Sequence, residues 1–276
     1  MSFGNVLVVV LGSAALIVAG LVAWRGRGLP PVAPRDLPTT VGASALDALR
    51  TLSAVTGAGL VAGFLVPGLG GRLFMRVLAA TSGGDAQGRL TDAEEVVGDI
   101  TFDGSLGFVI FVGLIIPFVA SLGYLALRHY LPGPAAAAGT GFGVILLGLF
   151  GVNDPLSPDN VDFVILSPLW LAVAGIIGLG LLYGVTFSAL AARFDARLRP
   201  MSTGLRAVPA HAPLLVGLLP PFFAVTVTYV GLRAGFHGKA TAALTQGPVR
   251  SVGRVLVGVA TAAAAVVTLL AVIDIL

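Results

Sequence analysis

Gly57-Ala58-Gly59-Leu60-Val61-Ala62-Gly63-Phe64-Leu65-Val66-Pro67-Gly68-Leu69-Gly70-Gly71, followed directly by Arg72-Leu73-Phe74-Met75-Arg76, is the stretch whose reading decides the fold. The run from Thr51 to Gly71 holds 21 residues without a charge. At 1.5 Å per residue a helix of that length covers about 32 Å, enough to cross ~30 Å of hydrocarbon. Gly59, Gly63, Pro67 and Gly71 recur every four residues, which on a helix makes a smooth groove along one face. A second helix can approach closely along such a groove. The stretch therefore predicts the central helix of a membrane bundle.

Composition carries that reading to the whole chain. Of 276 residues, 57% are hydrophobic and 11% are charged, and mean hydropathy is +1.00. A soluble domain carries roughly 25% charged residues, so this chain lacks the charge to cover a water-facing surface. Its apolar segments leave no room for a soluble catalytic domain. The net charge is +3, and fifteen of the sixteen basic residues are arginine, Lys239 being the exception. They lie mainly near segment ends, where they anchor to lipid headgroups; the bilayer, not nucleic acid, is the expected partner. The bias toward Arg, Ala and Gly suggests a GC-rich bacterial genome, and hence the inner (plasma) membrane. Cysteine is absent, which excludes disulfides, thiolate metal sites and cysteine nucleophiles.

Taken in order, the chain predicts an all-α, polytopic bundle of about seven transmembrane helices in a single domain, residues 1–276. The expected spans are 5–24, 51–71, 104–127, 135–152, 163–192, 211–232 and 255–273. Span one is followed, not preceded, by arginines (Arg25, Arg27), which favours a retained helix with its N-terminus outside. Seven crossings then put the C-terminus in the cytoplasm. On that scheme inside loops hold nine basic residues and outside loops seven, a slight bias. The four bases of the Arg233–Arg254 loop weaken it. Arg72 to Ala80 either continues span two or lies at the interface. Thr91-Asp92-Ala93-Glu94 fits a capping box, predicting a short helix from Asp92 to about Val97.

The residues that carry chemistry are few. No Asp, Glu, Lys, Arg or His falls in the middle of a predicted span, where proton- and ion-coupled carriers usually place one. Hydroxyls within the spans, Tyr183 among them, are expected to bond back to helix carbonyls or across to a neighbour. Arg72 and Arg76, four apart, share a helix face and could jointly hold a phosphate or carboxylate. Asp92, Glu94, Glu95, Asp99 and Asp103 are their candidate ion-pair partners. The spacing of those acids does not match a calcium loop, and no HExxH, GxSxG or Walker sequence occurs. Neither metal nor cofactor is expected. The acidic run from Asn153 to Asp162 is read as a turn.

Prolines supply the last signal. Pro67, Pro117 and the Pro220-Pro221 pair fall inside spans two, three and six. Together with Gly59, Gly63, Gly71 and Gly113 they are assigned to helix packing. Broken helices in matching positions also point to a transporter binding site. Three functions follow, in order. The first is a non-catalytic structural or accessory subunit whose small-residue faces bind partner helices or a second copy. The second is a transporter-like protein with a cavity for a neutral or lipid-like solute near the proline breaks. The third is a membrane enzyme built on Arg72 and Arg76.

Overall fold

The computed structural model describes residues 3–32, 38–91, 95–99, 101–198, 205–235 and 247–276. Apart from one antiparallel bridge between Leu90 and Val96, these residues form only helices and turns. The helices are α1 (Phe3–Gly26), α2 (Val41–Thr81), α3 (Phe102–Leu127), α4 (Ala135–Leu149), α5 (Leu169–Arg197), α6 (Pro220–Gly235) and α7 (Gly247–Ile275). Among the described residues, six are long and apolar enough to cross a membrane: all but α6, with α4 counted through its 3₁₀ extension to Asn153. The protein is a membrane-embedded helical bundle.

Helix α2 is the axis. It runs 41 residues, about 60 Å at helical rise, so Arg72 to Ala80 continue span two. Its start is capped by Thr40, whose side chain accepts from the Ala43 N–H at 3.2 Å. Midway, Phe64–Gly70 widens into a π-helical stretch around Pro67. Helix α3 widens likewise over Phe111–Ile115, just before Pro117. Proline has no N–H to give the helix, and its ring crowds the carbonyl one turn back. A wider turn accommodates both, and π-bulges of this kind recur at functional sites.

The two widened turns meet each other. A Cβ on Gly113 would lie 3.1 Å from the Gly68 Cα, so backbone touches backbone there. A methyl group at Gly63 would collide with the Pro117 ring, and one at Gly59 with Ser121. At Gly71 it would sit 3.2 Å from the Phe108 ring. Helices α4 and α5 pack in the same manner: Gly139 faces Gly184 and Gly143 faces Gly180, with pairs spaced four apart on both helices. Below them the rings of Tyr124, Phe142 and Phe187 cluster with centroids 4.7–5.5 Å apart. The Tyr124 hydroxyl is bonded to Ser188 at 2.9 Å.

One end of the bundle is fastened by buried charge. Arg50 donates to the Leu198 carbonyl at 2.6 Å and to the Asp195 carbonyl at 2.7 Å. It thereby satisfies acceptors that the last turn of α5 cannot satisfy internally. Arg128 stands 3.6 Å from the Asp195 carboxylate, with both side chains buried.

Expected span six is corrected. In place of a crossing over 211–232, a 3₁₀ arm (Leu205–Leu218) descends from this fastened end and α6 climbs back to it. On the way down, His211 Nδ1 lies 2.7 Å from Ser53 Oγ, and Pro213 then packs on Gly57. Phe222 meets Phe118 at 4.5 Å between centroids, and Arg233 pairs with Asp47 at 3.0 Å, back near the start of α2. Prolines are the cause: Pro209 and Pro213 deny the arm an α-helical ladder, and Pro220 opens α6 where a missing N–H costs nothing. The side chains of Pro220 and Pro221 lie outside the described residues.

Re-entry alters the termini. Helix α1 has Gly12 against Leu73 and Gly26 against Ala189, so it begins at the end opposite Arg50. Helix α7 has Gly253 against Tyr130 and Gly148 of α4 against Ala264, so it finishes at that same opposite end. Both chain ends therefore lie at one end of the bundle, where seven crossings would set them at opposite ends, because the sixth segment turns back.

Two local expectations also change. The short helix from Asp92 to Val97 is absent from its described part, where Val96 forms the bridge to Leu90 and the Glu95 N–H donates to Thr91 Oγ1 at 3.2 Å. Asp92 and Glu94 lie outside the described residues. Span five begins at Leu169 instead of Phe163, because the residue before Pro168 is pushed away from helical geometry and Asp162–Ile165 forms a separate turn.

Candidate functional site

The widened turns of α2 and α3 open a cavity of about 730 Å³ at the end of the bundle opposite Arg50. That volume is within the range of small-molecule sites. Helix α2 contributes Pro67, Gly71, Arg72, Met75 and Arg76; α3 contributes Phe108, Phe111, Ile116, Pro117 and Ala120. Leu146 and Leu147 of α4 and Ala172, Ile176, Leu179, Gly180 and Tyr183 of α5 close the other side. From Ala172 to Tyr183 is three helical turns, about 16 Å of depth. The cavity thus reaches roughly half-way through ~30 Å of hydrocarbon. The Tyr124–Phe142–Phe187 cluster and Pro117 stop it there.

Its mouth is polar and its shaft apolar. Arg72 holds its guanidinium 5.1 Å from the Phe108 ring centroid, and its Nη1 approaches the Met75 sulfur at 3.9 Å. Its Nε is buried without a hydrogen-bond partner. Glu95 is the acid whose field Arg72 feels, yet no contact within ion-pair distance joins them. Arg76 donates from Nη1 to the Gly98 carbonyl at 3.4 Å. Asp154 and Asp162, on the loop between α4 and α5, also line the cavity. That loop is an Asx-type turn: the Asp162 N–H donates to Asn160 Oδ1 at 2.8 Å and Asn160 Nδ2 donates to the Asp154 carbonyl at 3.3 Å. At the inner end, the buried Tyr183 hydroxyl has no partner either.

The arrangement gathers Arg72, Arg76, Glu95 and Asp99 at one mouth. Asp103 is not among them; it occupies the first turn of α3, exposed, where Thr101 caps the helix by accepting from Gly104 N–H at 3.2 Å. Sequence reasoning passed over Tyr183, Asp154 and Asp162 as site residues. Tyr183 carries no signal in the sequence, because its exposure to the cavity follows from how α5 is rotated by the Gly180 and Gly184 contacts. Asp154 and Asp162 were visible as acids but not as neighbours of the arginines. Among the described residues, no three His, Asp or Glu side chains converge as metal ligands. Buried, unpartnered donors and an amphipathic cavity suit a ligand with a charged head and an apolar body. Comparison with known proteins yields no match of any kind: no family pattern, no curated protein and no solved structure resembles the chain.

Proposed function

We propose that the protein is a membrane-embedded binding or transport protein for an amphipathic, lipid-like ligand, held with its head at Arg72 and its apolar part along the α3–α5 wall. The observation that carries this reading is the cavity itself, polar at Arg72 and apolar down to Tyr183. A buried guanidinium edge and a buried hydroxyl each lose free energy while unpaired, and a ligand or the water it carries in would pair them. Less supports the accessory-subunit reading, since Gly59, Gly63, Gly139 and Gly143 meet Ser121, Pro117, Gly184 and Gly180 within the chain.

Charge favours a cytoplasmic location for the Arg50 end. Among the described residues, that end holds Arg25, Arg27, Arg50, Arg128, Arg193, Arg197, Arg233, Arg250 and Arg254, and the cavity end keeps only Arg72, Arg76 and Arg89. In a bacterial plasma membrane the cavity then opens toward the outside.

Native mass spectrometry of the detergent-purified protein tests the reading. The wild type should retain lipid adducts that Ile176→Trp, which fills the cavity, reduces by at least half. Val259→Trp, on the exposed face of α7, should retain them. Equal adducts in all three proteins would overturn the proposal.

A further inference from the structure

We infer that the ligand's head group is zwitterionic, carrying an anion and a cation on one amphiphile. This rests on the cavity being a ligand site, as proposed above, and narrows what fills it. Side chains of both signs line the mouth. Arg72 and Arg76 line it from α2, Asp154 from the α4–α5 loop and Glu95 from the segment before α3. Carboxylates lining the same mouth as the two guanidiniums oppose a purely anionic head group. The unpartnered Arg72 Nε nevertheless offers an anion a donor already stripped of water. An uncharged head would leave that donor unpaired; a cationic one would be repelled by it. A head with a phosphate toward Arg72 and an ammonium toward Asp154 answers both signs. That the cavity takes a ligand at all is indicated independently by Tyr183, a lining residue 6% exposed, whose hydroxyl is buried without a partner.

Titration of the purified full-length protein with three short-chain lipids of identical tails, followed by native mass spectrometry, reads this out. The probes are phosphatidylethanolamine, phosphatidylglycerol and diacylglycerol. Phosphatidylethanolamine should bind at least tenfold tighter than either of the others. Arg72→Gln should reduce that binding about tenfold without changing diacylglycerol binding. Asp154→Asn, on an exposed loop position, should shrink the preference over phosphatidylglycerol at least threefold, and it serves should Arg72→Gln fail to fold. Phosphatidylglycerol binding as tightly as phosphatidylethanolamine, or Asp154→Asn leaving the preference intact, would overturn the zwitterion inference alone. Failure of all three lipids to saturate, or Ile176→Trp binding them as the wild type does, would overturn the cavity reading beneath it.

Discussion

His129 follows α3 at the fastened end of the bundle, beside Arg128 and within the field of Arg233 and Arg250. Burial first, then the arginines, lower its pKa to about 4 from the usual 6.5. The folded protein therefore holds this imidazole neutral where the unfolded chain would protonate it. The sign follows: stability is complete above about pH 6.5 and declines as pH falls toward 4, by at most about 1.4 kcal/mol per pH unit. Melting temperature in detergent should drop across that window, and His129→Gln should flatten the part of the slope that His129 supplies. A pH profile unchanged by the substitution would refute the assignment. Arg128 is fixed by the chemistry that perturbs His129: its partner Asp195 is fully buried, and Arg50 holds the neighbouring carbonyls. Removing either arginine would strand a polar group away from water.

Between elements, what decides packing is glycine against backbone. Gly139, Gly143, Gly180 and Gly184 bring α4 and α5 close enough that a Cβ at Gly143 would lie 2.9 Å from the Gly180 carbonyl oxygen. Gly143→Leu should thus destabilise the bundle by roughly 1–3 kcal/mol through overpacking. Leucine at Gly178, where a Cβ would meet nothing within 4 Å, should change the melting temperature little; equal losses would refute the close contact. This also shows how far the sequence could be read. The uncharged run 51–71 and its fourfold spacing are enough to place a central helix, because span length and small-residue faces are local properties. The π-helical turns were not legible: Pro67 and Pro117 mark a break without saying whether the helix kinks, stops or widens. The re-entrant arm was missed because a run of apolar residues from His211 to Leu232 has the length of a crossing, and only contacts with Ser53, Gly57 and Asp47 reveal the return. At the site, Arg72 and Arg76 were legible as a pair; that Asp154 and Tyr183 face the same space depends on tertiary packing.

At the scale of the whole molecule, the re-entrant arm sorts the charges. Among the described residues, the acids Asp85, Glu95, Asp99, Asp103, Asp154, Asp159, Asp162 and Asp274 belong to loops or helix ends on the cavity face, opposite nine bases at the Arg50 end. Arg233, Arg250 and Arg254, which seven crossings set against the larger group of bases, join that group once the sixth segment turns back. Reporter fusions after Leu276 and before Phe3 should accordingly both read outside, and one inserted near Pro132 should read cytoplasmic. A cytoplasmic C-terminus would mean that the 205–235 segment crosses after all. The shared face of the two chain ends has a further consequence. A circularly permuted chain, with Leu276 linked to Met1 and new ends opened between Gly235 and Gly247, would break no packed contact between the described helices, and its linker would join two ends that lie on one face. On the orientation proposed above, its synthesis would both begin and finish in the cytosol, with α7 entering first behind Arg250 and Arg254.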